Sequence, residues 1–281
     1  MRLVKQLLVV AAIALVGSQG VAAVGENPWL TLVIGIATAV LAVLAYAWVV
    51  RRTERREPRE VGRGGAVAAV GRGALIGVAM CGAVMAGIAW LGDYEIDGLG
   101  SATGAVGLFG FMAAAAVTEE LIFRGVLFRI VEERTGTWVA LALTGVVFGA
   151  SHLFNPHAGM WGAIAIAIEA GFLLAAAYAA TRTLWVPIGL HFGWNFALAG
   201  VFGAGVSGND AAEGLLDATA SGPDPITGGA FGPEGSLCAV AAGVLLTAAF
   251  LWLAHRRGHI VPRRRQQEDR PQENFSLQSE R

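Results

Sequence analysis

The chain has 281 residues, 55% of them hydrophobic and 15% charged, with a mean hydropathy of +0.60. A soluble globular domain carries about 25% charged residues, so an ordinary water-soluble globule is excluded and a chain built from membrane spans is indicated. The formal net charge of −1 hides a segregation of sign by loop; the arginine runs read as topology determinants and anionic-lipid contacts, not as nucleic-acid sites.

In chain order, eight apolar segments can be marked: 6–23, 30–50, 74–91, 105–128, 138–153, 159–180, 184–202 and 236–254. Most approach the roughly 20 residues that a spanning helix needs, and the fifth is short. The expected fold is all-α: a polytopic membrane protein of about eight transmembrane helices around a buried polar cavity. The first segment also fits a signal peptide, with Arg2 and Lys5 ahead of the apolar run and Val21-Ala22-Ala23 behind it. Its removal would leave seven spans without inverting the rest. Cys81 and Cys238 fall in apolar segments and read as small buried residues, with no metal-site spacing.

Arginine placement sets the expected topology. The connection 51–73 holds seven arginines and the stretch from His255 onward seven more, while Arg129, Arg134 and Arg182 lie at the other connections of that side. The opposite connections carry Asp93, Glu95 and Asp97, and then Asp210, Glu213, Asp217, Asp224 and Glu234, with no Lys or Arg. The positive-inside rule then gives a multi-pass protein of the cell membrane with both termini cytoplasmic. Residues 1–104 read as three helices with a basic cytoplasmic loop, and 105–203 as a core of helices four to seven. Residues 204–262 read as an acidic external loop with the eighth helix, and 263–281 as a disordered cytoplasmic tail. The connection 51–73 reads as a polar loop with an interfacial helix.

Three ionisable clusters interrupt the apolar segments where charge is costly, and such residues mark functional sites by default. They are Glu119-Glu120-x-x-x-Arg124, Phe148-x-x-x-His152 and His191-x-x-x-Asn195. Adjacent helical residues point about 100° apart, so Glu119 and Glu120 cannot share one role. Glu120 and Arg124 are four apart with the acid first, the favoured geometry for an intrahelical ion pair. Glu119 follows an uncharged stretch, 105–118, and is left to act as general base or metal ligand; the alternative is a cluster snorkelling to water at a helix end. His152 stands near the end of the fifth segment, where a histidine also satisfies helix carbonyls. His191 and Asn195 share a helical face inside the seventh segment and can bind one small target together: a metal ion, a water or a developing oxyanion. From segment midpoints, His152 lies about 9 Å off the level of the other two clusters. Glu169, in the sixth segment, belongs either to the same cavity or to an interhelical hydrogen bond. His157 reads as an external interfacial residue.

These motifs, in this order on successive segments, resemble the CPBP family, the CAAX proteases and bacteriocin-processing enzymes of the Abi group. The stretch 181–191 is similar to the family's approach to its last motif, and the resemblance covers about 105–199. It implies an endopeptidase acting on a membrane-associated protein or peptide within or at the bilayer. Glu119 would activate water, His152 would assist or bind metal, and His191 with Asn195 would hold the metal or the oxyanion, with Glu120 and Arg124 in support. Zinc on Glu119, His152 and His191 is the metal form of this reading. Asn195, a weak zinc ligand but a good oxyanion donor, favours a site without obligatory metal. Two rivals remain: a proton-coupled transporter using Glu119, Glu169 and the histidines as a relay, and a non-catalytic membrane scaffold or immunity protein of the same family. Transporters commonly show internal repeats or paired broken helices, and neither is visible.

Overall fold

The computed structural model describes residues 1–25, 27–91, 93–210 and 213–263. The tail expected to be disordered lies, from residue 264 on, outside the described residues. The chain is an all-α polytopic membrane protein. Its long helices are α1 (Arg2–Ala23), α2 (Pro28–Glu54), α3 (Ala66–Leu91), α4 (Ala102–Thr135), α5 (Thr137–Phe154), α6 (Met160–Thr181), α7 (Trp185–Asn195) and α8 (Leu237–Arg256). Among the described residues, α1 to α6 and α8 are long and apolar enough to cross a membrane. The 11 residues of α7 continue as a π-helical stretch of 6, Phe196–Val201, which brings this segment to the lower edge of spanning length.

Local chemistry sets several boundaries. Asn27 caps α2 by accepting from the Trp29 and Leu30 amides at 3.1 Å, with Pro28 at the first helical position. Ser101 caps α4 through the Gly104 amide and Ser236 caps α8 through the Ala239 amide. Two boundaries differ from the hydropathy reading. Helix α3 begins at Ala66 and not at 74, so the connection after α2 is a short one holding only a single turn of 3-10 helix, Arg59–Val61. Helix α4 runs past 128 to Thr135 because its polar last turns are paired: Arg129 with Glu54, and Glu132 with Arg182.

Close helix approach positions α7. Gly73 and Gly77 of α3 face Gly189 and Gly193 of α7. A Cβ on the first pair would strike the backbone at Val186 and Leu190, and on the second pair the backbone at Val70 and Ala74. This is reciprocal small-xxx-small packing, where backbones meet because side chains are missing. Helix α1 joins the bundle through Gln6, fully buried, whose Oε1 accepts from Arg129 at 3.0 Å.

At the acidic-loop end, β1 (Asp93–Leu99) pairs antiparallel with β2 (Leu216–Ser221). The loop that composition marked only as an external connection folds back onto the bundle. Phe231 packs over Gly162 and Gly208, and Val206, Ser207, Phe231 and Glu234 are buried.

Candidate active site

Helix α4 delivers the first motif. Just after Glu120 its hydrogen bonding widens to i→i+5 over Leu121–Phe128, a π-type irregularity frequent at functional sites. Glu120 and Arg124 are both fully buried, and Arg124 Nη1 donates to Glu120 Oε1 at 2.8 Å. Arg124 Nη2 donates to the Gly171 and Ala170 carbonyls at 2.9 and 3.2 Å. Both acceptors lie in a second π-helical stretch, Ala167–Phe172 of α6. The guanidinium also lies over the Phe148 ring, 4.6 Å from its centroid, a cation–π contact that desolvation strengthens. These contacts offset the cost of burying the pair.

His191 ties α7 to this pair. Its Nδ1 lies 2.9 Å from Glu120 Oε1, the same oxygen that Arg124 uses. Its Nε2 is 4.0 Å from Glu119 Oε2. With Nδ1 donating to a carboxylate, Nε2 is the atom presented to Glu119. Glu119 points away from Glu120 and keeps 33% of its side chain exposed, yet its Oε2 is buried with no hydrogen-bond partner among the described residues. Spacing on α4 separates Glu119 from the ion pair; it carries no information on which acid His191 binds.

His152 ends α5, where the α-helix tightens to a 3-10 turn, His152–Phe154. Its Nδ1 is 2.7 Å from the Phe148 carbonyl oxygen. A carbonyl can only accept, so the proton sits on Nδ1 and a neutral ring presents Nε2 as acceptor. Phe148 links the two histidines, with ring centroids 4.8 Å from His152 and 6.2 Å from His191. The offset in depth expected from segment midpoints is absorbed: Glu119, His152, His191 and Asn195 line one cavity of about 540 Å³, which reaches Asn155, Asn209 and Asp210 at the acidic-loop end. Asn195 is buried and sits where α7 passes into its π-helical stretch.

Glu169 does not reach this open cavity. It is buried in α6 behind it, beside a small void shared with His191, Trp194, Asn195 and Glu234, and its Oε2 has no partner. His157 pairs with Asp210 at 2.8 Å on the surface. Glu234 escaped the sequence reading, where it counted only as loop charge. It is 1% exposed, accepts from Trp194 Nε1 at 2.9 Å, and takes the Ser207 amide with its other oxygen. Burial pushes its carboxyl above the usual range, against the lowering effect of those two bonds. No sequence signal singled it out from the other loop acids.

Residues 101–197, the segment holding all three motifs, match the family described as Rce1-like, type II CAAX prenyl endopeptidase. The match covers about a third of the chain and leaves the first three helices and the last outside it. A Bacillus subtilis (strain 168) protein named "Putative membrane peptidase YdiL" is 34% identical over 79 residues, 28% of this chain. The similarity spans 30% of that protein's length. No solved structure matches the chain.

Zinc is the metal that the resemblance raises. Its ligands would converge at about 2.0–2.2 Å from one point. Among the described residues, no three His, Cys, Asp or Glu side chains are grouped to hold one ion. The 4.0 Å between His191 Nε2 and Glu119 Oε2 is also wider than the roughly 3.3 Å edge of such a shell. The residues as placed do not fit a three-ligand zinc site.

Proposed function

We propose that the chain is an intramembrane endopeptidase that hydrolyses a peptide bond of a membrane-associated protein or peptide. The observation that carries this reading is the pair Glu119 Oε2 and His191 Nε2, 4.0 Å apart in the lining of an open cavity, the carboxylate oxygen lacking any other partner among the described residues. A water about 2.8 Å from each atom fits that gap. Glu119 takes one proton from this water as its oxygen bonds to the substrate carbonyl carbon. The carbonyl electron pair moves onto oxygen, where Asn195 Nδ2 and the protonated His191 Nε2 donate to the oxyanion. Glu120, on His191 Nδ1, stabilises the imidazolium that this requires. His152, its tautomer set by Phe148, orients the attacking water through Nε2. When the intermediate collapses, the carbon–nitrogen bond breaks and Glu119 returns its proton to the leaving amine.

In this reading residues 101–197 form the catalytic core, and the arginine-rich end, with both termini, faces the cytoplasm. The cavity then opens toward the outer half of the bilayer. Purified protein in liposomes, incubated with a library of single-span and lipid-anchored peptides, tests the reading. Cleavage that an Asn195→Ala variant slows in kcat supports it. Substrate or proton flux without cleavage would support a transporter instead.

A further inference from the structure

A second cavity, of about 750 Å³, lies on the other side of α4 and has no part in the chemistry above. Ala39, Val43, Ala47 and Arg51 recur every fourth residue along one face of α2 and form its long wall, about 18 Å at about 1.5 Å per residue. Away from the arginines its lining is apolar and includes Val117 of α4. Its mouth carries Arg51, Arg59 and Arg63 against a single carboxylate, Glu57, which is already paired with Arg51 at 3.1 Å. Arg59 and Arg63 are exposed and, among the described residues, have no side-chain partner. Trp185 forms part of the rim and donates Nε1–H to the Gly62 carbonyl at 2.8 Å, which ties the loop to the start of α7.

The charge pattern identifies the occupant. An apolar groove about 18 Å long with two uncompensated guanidiniums at one end complements one molecule: an anionic phospholipid, an acyl chain along the groove and its phosphate at the arginines. A zwitterionic lipid fills the slot equally well but returns less at the mouth. We propose that this cleft is a binding site for one anionic phospholipid. The inference is independent of the peptidase reading, because none of these residues touches the Glu119 cavity.

Native mass spectrometry of the full chain, released from micelles doped with phosphatidylglycerol or with phosphatidylcholine of the same acyl chains, tests it. Wild type should retain one phosphatidylglycerol in preference to phosphatidylcholine. Each exposed arginine near such a headgroup contributes about fivefold, the equivalent of about 1 kcal/mol. The double variant Arg59→Gln/Arg63→Gln should therefore lose on the order of 25-fold in that preference while keeping chain-dependent binding. Val40→Trp, at a half-exposed wall position, should lower retention of both lipids. Equal retention of the two lipids by wild type would overturn the proposal. So would a preference untouched by the arginine changes, or glycerol phosphate competing as well as the intact lipid.

Discussion

Two clusters of buried charge share helix α4, and they differ in how completely their atoms are paired. At the arginine-rich end, Arg129 grips Glu54 with both terminal nitrogens at 2.7 and 2.8 Å and gives Nε to the Gly125 carbonyl. Arg56 closes on Glu60 at 2.7 and 2.9 Å and on Glu54 at 2.7 Å. The Tyr46 hydroxyl stands 2.6 Å from Glu60. Every carboxylate oxygen there is used. In the Glu119 cluster, by contrast, Glu119 Oε2, Glu120 Oε2 and Arg124 Nε are buried without partners among the described residues. Saturated charge holds a structure together, whereas buried polar atoms without a protein partner beside a cavity call for a bound water or ligand. Both clusters are built on buried Glu–Arg pairs, and they differ in how many of those atoms find a protein partner.

The largest expected effect breaks the saturated cluster. Arg129→Ala leaves Glu54 buried without its main partner, which costs about 3–5 kcal/mol. Thermal unfolding in detergent should show a large fall in midpoint, while folded molecules cleave at the normal rate. Asn195→Ala should do the reverse. If Asn195 donates to the oxyanion as proposed, its loss should lower kcat by about 10²–10³, or about 2.7–4 kcal/mol of barrier, with the melting midpoint close to wild type. A smaller effect tests what positions the site. Gly193→Ala pushes a methyl into the backbone at Ala74, an overpacking cost of about 1–3 kcal/mol. It should lower stability and also raise KM, as α7 shifts against α4.

The smallest effect concerns pH. Burial works to raise the Glu60 carboxyl, but hydrogen bonds from Arg56 and Tyr46 win and hold it below the usual 4.5. A depressed folded pKa contributes stability that is present above about pH 4.5 and is lost as pH falls through the folded value. Melting midpoints taken from about pH 6 down to about pH 3 should fall for this reason, and Glu60→Gln should flatten part of that slope. An unchanged slope would remove Glu60 from the saturated cluster's account.

What could be read in the sequence follows the range of each interaction. The eight helices were visible because hydropathy is a local average, and the Glu120–Arg124 pair because i,i+4 contacts are fixed by helix geometry. The start of α3 was missed because residues 66–73 are small and carry Arg72, which lowers hydropathy without interrupting the helix. Pairing across long separations left no local trace. Gln6, Glu54, Glu60 and Arg129 converge from four segments, residues 93–99 find 216–221, and Glu234 docks on Trp194 from a Gly/Pro-rich loop. The widened turns at 121–128, 167–172 and 196–201 likewise have no signature in residue type.

The central claim is that the unsatisfied Glu119 carboxylate performs the chemistry, and Glu119→Gln addresses it most directly. The substitution keeps the shape and removes the base. Single-turnover cleavage in liposomes, with the melting midpoint measured on the same preparation, should show a loss of about 10²–10⁴ in rate at unchanged stability. A variant that cleaves at the wild-type rate, folded and saturated with substrate, would contradict the account.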